Sequence, residues 1–159
     1  MLKAPHGKAP GSKATGLLLA SFVFLLVGYS LAGAITISPH KLVLNSQGNA
    51  EDVQAIIPMT IAAGYTFTAG EATLEFDGTE VAVSISMRYC YVDDNLIVGF
   101  DKEELLRNPD VIAMAGTTVT AKVEGSFIAT DAEGNTYTKD FSGTDQVEIV
   151  APGKNSANK

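Results

Sequence analysis

The chain has 159 residues, 46% hydrophobic and 18% charged, which suits one packed domain and excludes a disordered chain. All eighteen acidic residues follow residue 50, and residues 35–159 carry only eight basic side chains, so this part has a net charge of −10. A surface with this much negative charge repels nucleic acid and anionic lipid. Nucleic-acid binding is therefore excluded, and cations or basic proteins are the electrostatically favoured partners.

Residues 1–34 have the layout of an export signal. Three lysines precede an apolar run, Leu17–Ala34, which ends in the small-x-small sequence Ala32-Gly33-Ala34. This order predicts a secretory signal peptide that is cleaved after Ala34. The run of about eighteen residues is also long enough to stay as an N-terminal membrane anchor. In either case the rest of the chain is exported to the periplasm, the cell surface or the medium, and residues 17–34 contact the membrane only if they are uncleaved.

Between residues 35 and 150, apolar and polar side chains alternate in runs that turn residues separate, the pattern of β-strands with one buried face. The longest hairpin is predicted over Thr79–Phe100, with its turn at Asp93-Asp94-Asn95. Further strands are predicted around Leu42, Val53–Ile61, Ala72–Phe76, Val119–Ala129, Tyr137–Phe141 and Val147–Ile149. The hairpin side chains predicted to face the core are Val81, Val83, Ile85, Met87, Tyr89 and Tyr91.

One short helix is predicted after Phe100, because Asp101 and Glu104 form a capping-box-like pair and Pro109 prevents continuation. Pro109–Ala115 is a candidate for a second short turn of helix, closed by Gly116. About eight strands and one short connecting helix predict an all-β fold, a two-sheet antiparallel sandwich of the immunoglobulin-like type. Residues 35–150 would form this domain, and residues 151–159 a flexible polar tail.

Several stretches have a familiar order. Ile35–Pro39 and Leu42–Gly48 form an alternating opening with a proline and then a glycine, and in Asn95–Asp101 a strand leads into a short helix. Together with Val123–Gly125 and Phe141–Asp145, they resemble exported bacterial and archaeal immunoglobulin-like β-sandwich modules. The resemblance implies an extracytoplasmic, usually non-catalytic module and no particular substrate. Modules of this kind often carry calcium loops, of which this sequence has no full-length copy.

The residues that could carry catalysis are few. His40 is the only histidine after the leader and has no serine or aspartate pattern around it, so a Ser–His–Asp arrangement is not expected. Cys90 is predicted on the polar face of its strand. It is either a small covered residue or a thiol that forms an intermolecular disulfide or gains reactivity from Arg88. The sequence therefore predicts a protein that is not an enzyme.

Calcium is the one cofactor that the sequence allows. Asp93, Asp94 and Asn95 at the hairpin turn, with Asp101 shortly after, offer the oxygen ligands that calcium prefers. Turns also recruit such residues for backbone reasons alone, and no EF-hand spacing is present. A second acidic turn contains Asp131, Glu133 and Asn135.

The leading hypothesis is an exported, non-catalytic module that acts by binding or assembly, with an unknown protein or carbohydrate partner. Tyr65, Phe67 and Tyr137 are candidates for a carbohydrate platform. The alternative is a surface-filament or membrane-anchored envelope subunit that retains its apolar N-terminal segment. Residues 13–16 loosely resemble a pilin-type processing site, although the apolar run lacks the glutamate of bacterial pilins.

Overall fold

A computed structural model describes residues 31–44 and 52–152 as nine strands and two short helices. In chain order the elements are β1 (Leu31–Ala34), β2 (Thr36–Ser38), β3 (Lys41–Val43), β4 (Val53–Pro58), β5 (Tyr65–Phe76), β6 (Thr79–Cys90), β7 (Asn95–Phe100), α1 (Lys102–Arg107), α2 (Pro109–Ala113), β8 (Thr117–Asp131) and β9 (Thr136–Val150).

The strands form one sheet that is nearly closed into a barrel. Eight of them follow the order β1-β9-β8-β5-β6-β7-β4-β2, and β3 pairs with β9 beside this path. Only Ile35 separates β1 from β2, so the two ends of the path are successive parts of the chain. The predicted two-sheet sandwich is therefore wrong. β6 pairs with β5 at its start and with β7 towards its end, and so it carries the sheet around the corner where two sheets would part.

The purely antiparallel arrangement and the single helix are also wrong. β1 and β3 run parallel to β9 and lie beside two successive parts of it. Asp101 is the N-cap of α1. The second helix, α2, follows its own N-cap Asn108, whose side chain accepts the Asp110 N–H at 2.9 Å. Both helices lie after β7 and bury one side chain each, Leu105 and Val111, beneath the sheet. We call this the lower end, and the opposite end, with the β6–β7 and β8–β9 turns, the upper end.

Most of the alternation is confirmed by burial. In β8 every second residue from Val119 to Ala129 faces the core except Gly125, which is half-buried. In β4 and β7 the alternate residues that were predicted to face the core are buried as well. Four phenylalanines are fully or almost fully buried, namely Phe76, Phe100, Phe127 and Phe141. Period-two patterns therefore identify the core correctly wherever the ladder is regular.

The predicted burial is wrong for Val83 and Ile85 in β6 and for Tyr91 directly after it, since all three are exposed. Two extra residues interrupt the strand: Val81 bulges relative to β5, and Ile85 bulges relative to β7. Each bulge reverses the face on which the following side chains lie. Val83 lies between the two bulges and so faces outwards. Tyr89 follows both and faces the core again.

Some predictions fall outside the described residues: the leader up to residue 30, residues 45–48 of the first familiar stretch, and the tail from residue 153. The predicted cleavage point after Ala34 coincides with the end of β1.

Candidate functional site

A gap opens in the sheet between β5 and β6. The two strands pair from Phe76 opposite Thr79 to Thr73 opposite Val83. Above this point β5 continues along β8, and β6 continues along β7, so the strands separate. We call this gap the seam; it lies between residues 65–72 of β5 and 84–90 of β6.

Side chains from β6 and its turn bridge the seam. Ser84 Oγ accepts a hydrogen bond from the Ala72 N–H at 2.9 Å, and the Tyr91 hydroxyl accepts one from the Phe67 N–H at 2.9 Å. Between them Met87 covers Gly70, where a Cβ would overlap the Met87 sulfur. Backbone donors that would otherwise need a neighbouring strand are thus satisfied by hydroxyl groups.

An apolar line follows β6 and the first two residues of the turn after it. Its members are Val83, Ile85, Tyr91 and Val92, which are 54%, 55%, 57% and 91% exposed. Burying one such side chain against a partner would gain roughly 1.5–3 kcal/mol. Several exposed apolar side chains on one strand and its turn are therefore a candidate interaction site. The apolar line is therefore the strongest candidate for a binding surface in the described part of the chain.

An open groove of about 630 Å³ borders the apolar line at Val83. It crosses the outer face of β5, β8 and β9 where Gly125 lets the strands approach closely, since a Cβ there would overlap the Glu71 carbonyl oxygen. The groove is lined by Glu71, Ala72, Thr73, Val83, Glu124, Gly125, Ser126, Asp140, Phe141 and Ser142. Its rim thus carries three carboxylates, and no lysine or arginine lines it.

The charge of this groove is only partly balanced. Lys122 forms ion pairs with Glu124 and, at 3.5 Å, with Glu75. The hydrogen bond to Glu124 is the main reason that the pKa of the Lys122 ammonium is raised. Among the described residues no ion pair joins a basic side chain to Glu71 or Asp140. The groove therefore favours positively charged groups.

The four predicted calcium ligands lie at opposite ends of β7. Asp93, Asp94 and Asn95 are at the upper end, whereas Asp101 follows the strand at the lower end, six residues or about 20 Å away. The Asp101 carboxylate accepts the N–H groups of Glu103 and Glu104 at 2.8 and 3.1 Å and so caps α1. The structure does not bring these four residues together, and the calcium site stays a prediction.

In the second acidic turn, the Asp131 carboxylate accepts hydrogen bonds from other residues of the same turn. Asp131 accepts the N–H groups of Glu133 and Asn135 at 2.9 and 2.8 Å, and the Asn135 side-chain amide at 2.8 Å. The amide contact is the main cause that lowers the pKa of Asp131. Within residues 31–44 and 52–152, no group of three or more His, Cys, Asp or Glu side chains is arranged to hold a metal ion.

At the upper end, the Tyr89 side chain connects the segment after β4 with the β6–β7 turn. Its hydroxyl lies 2.8 Å from the Met59 carbonyl oxygen and 2.9 Å from Asp94 Oδ1, and it accepts the Ile61 N–H at 3.3 Å. Burial, followed by the hydrogen bond to Asp94, raises the pKa of the Tyr89 phenol above its ordinary value of 10.0. The side chain thereby anchors the segment after β4 to the β6–β7 turn.

The proposed carbohydrate platform is not a flat exposed surface. Tyr65, Phe67 and Tyr137 are half-buried and pack against the core at the upper end. The rings of Tyr65 and Tyr137 meet edge to face at 4.9 Å, and the Tyr137 hydroxyl accepts the Ala62 N–H at 3.1 Å. These contacts close the upper end of the sheet, and sugar binding stays a prediction.

His40 and Cys90 lie far apart, next to opposite ends of the sheet. The exposed ring of His40 has Nδ1 3.4 Å from Asp145 Oδ2, which also accepts the Ile37 N–H at 2.8 Å. The thiol of the half-buried Cys90 lies 3.6 Å from Asp93 Oδ2. In this arrangement Asp145 holds β2 against β9, and His40 lies beside that contact.

Sequence reasoning misses the apolar line because three of its members, Val83, Ile85 and Tyr91, have the parity of core residues. One signal was present: the run Thr79–Cys90 is twice as long as Asn95–Phe100, its partner in the hairpin. Half of β6 therefore needs a different neighbour, and a strand that changes neighbours commonly does so at a bulge.

Comparison of the sequence with protein-family models found no matching family, and comparison with curated proteins found no matching relative. In the described part of the chain, the helices are all too short to cross a bilayer.

Proposed function

We propose that this protein is an exported, non-catalytic module that acts by binding or assembly, and that the apolar line on β6 is its contact surface. Export rests on the basic and apolar order of residues 1–34. The observation that carries the proposal is the exposure of four apolar side chains along one strand and its turn.

The partner is a protein surface with apolar and basic groups. Val83 connects the apolar line to a groove whose carboxylates include Glu71 and Asp140, and the chain after residue 34 has a net charge of −10. An apolar centre with a charged rim is the usual composition of a protein–protein interface. Opposite charge on the partner would speed association and fix its orientation.

Site-specific photo-crosslinking in the native host tests the contact surface. A photoreactive residue replaces Ile85 or Val92 in one set of strains, and Ile112 in the control strain. Ile112 is 48% exposed on α2 at the lower end, so its exposure is close to that of Ile85. We expect a covalent adduct of one defined mass from Ile85 and Val92, and none from Ile112. Equal labelling at both ends, or no adduct at the seam, would contradict the proposal.

A charge reversal tests the partner's chemistry. Glu71→Lys places a positive charge on the groove rim, whereas Glu104→Lys makes the same change on α1; both glutamates are exposed. With the photoreactive residue at Val92, we expect Glu71→Lys to reduce the adduct several-fold and Glu104→Lys to leave it unchanged. An adduct that both variants retain would show that the partner is not selected by the acidic groove.

A further inference from the structure

The first strand lies inside the predicted leader. β1 pairs in parallel with β9, from Leu31 opposite Phe141 to Ala34 opposite Thr144. After Ile35, which is 5% exposed, β2 continues on β4, where Thr36 lies opposite Ile56. Residues 31–38 thus form one crossing of the chain that closes the sheet. The predicted cut after Ala34 would divide this crossing in the middle.

A second cleavage motif lies directly before β1. Gly28-Tyr29-Ser30 is also a small-x-small sequence, and the apolar run before it, Leu17–Val27, has eleven residues. Signal peptides have an apolar region of roughly 7–15 residues, which this shorter run fits and the eighteen-residue run up to Ala34 exceeds.

We propose that a signal peptidase of the exporting cell hydrolyses the Ser30–Leu31 bond, so that the mature protein begins with the first residue of β1. Water adds its oxygen to the Ser30 carbonyl carbon and the C–N bond breaks. The leader leaves with a Ser30 carboxylate, and the Leu31 nitrogen takes up protons to become an ammonium group. No oxidant, reductant or further reactant takes part.

The folded domain accommodates a charged terminus at Leu31 better than one at Ile35. In the parallel register Leu31 lies opposite Phe141, so its ammonium emerges beside Asp140, on a strand about 5 Å away. Asp140 is exposed and, in the described part of the chain, forms no ion pair with a basic side chain. The new ammonium group of Leu31 would therefore have a favourable charge contact with the Asp140 carboxylate at the surface.

A terminus at Ile35 would have two costs. The ammonium would sit on a residue whose surface is almost wholly buried, and the nearby Asp145 carboxylate is already occupied by the Ile37 N–H and His40. The edge of β9 from Phe141 to Thr144 would also lose its neighbour and expose unpaired backbone groups.

The test uses the full chain with its own leader in an exporting bacterial host, followed by intact mass and N-terminal sequencing of the exported protein. The wild type is compared with Ser30→Leu and Ala34→Leu, each of which places a bulky residue directly before one candidate bond. Ala34 is exposed, so the sheet tolerates the control substitution.

We expect the wild type and Ala34→Leu to start at Leu31, and Ser30→Leu to accumulate as precursor. A wild-type protein that starts at Ile35, or processing that Ala34→Leu blocks and Ser30→Leu does not, would overturn the proposal. A wild-type protein of full-length mass would overturn it too, in favour of a retained membrane anchor.

Discussion

The curled sheet is closed in two places, and the chain closes them by different means. Between β9 and β4 the sheet is closed by backbone strand pairing: β1 pairs with β9, and β2 pairs with β4. Between the upper parts of β5 and β6, above their paired residues, side chains form the closure: hydroxyls of Ser84 and Tyr91 bridge the seam. The backbone closure buries Ile35 and Ile37, whereas Ile85 at the seam stays exposed. One closure stabilises the fold, and the other leaves apolar surface exposed.

The largest expected difference comes from the same substitution at both closures. Ile37→Ala removes a side chain that is 1% exposed and should lower the free energy of unfolding by about 2–5 kcal/mol. Ile85→Ala removes one that is 55% exposed and should change it by less than about 0.5 kcal/mol. Chemical denaturation followed by circular dichroism measures both. Similar losses from the two variants would mean that the closures do not differ in the way described.

Removal of residues 31–34 should have the next largest effect. Chains 31–159 and 35–159 differ by β1, whose ladder hydrogen bonds contribute about 0.5–1.5 kcal/mol each. We expect the shorter chain to be less stable by about 1–3 kcal/mol, with faster amide exchange in β9 at Phe141–Thr144. Unchanged exchange at these amides would show that β1 does not contribute to the closure.

At the seam, Ser84→Ala removes the acceptor of the Ala72 N–H and should cost about 1–2 kcal/mol, because that donor is partly buried. Ser86→Ala, an exposed serine two residues along β6, is the control and should cost less than about 0.5 kcal/mol. Denaturant midpoints of the two variants give the comparison. If Ser84→Ala costs no more than its control, the hydroxyl bridge does not hold the seam.

The smallest effect is at the upper end, between the two closures. The pKa of Tyr89 is higher in the folded than in the unfolded chain, so its contribution is complete below pH 10 and is lost as the pH rises through the folded pKa. Stability should therefore fall above about pH 10, and less steeply in Tyr89→Phe. Parallel pH profiles of the wild type and Tyr89→Phe would contradict this role.

The sequence predicts the core well because burial enforces a period of two. Val119, Val123 and Phe127 lie where alternation puts them, and Asp101 caps the helix that its spacing indicates. The pairing of strands that are far apart in the sequence produces no such local pattern. Nothing in the alternation around Leu31 distinguishes a strand from the end of an apolar leader.

The candidate surface was hidden for a related reason. A bulge at Ile85 adds one residue without changing the local composition, so it inverts burial in a way that parity counting does not detect. In the acidic residues, the structure shows a local role that composition does not reveal. Asp101 and Asp131 have the side chains of calcium ligands, but their oxygens accept backbone N–H groups.

The pairing of β1 and β3 with β9 also affects the order of events during synthesis. Leu31 meets Phe141, and Lys41 meets Glu148, so more than one hundred residues separate the partners. Contacts of such high sequence separation form late and slowly. The sheet therefore cannot close until β9 has left the ribosome. If the protein is exported as proposed, this delay keeps the polypeptide unfolded, and so competent for translocation, until β9 has been made.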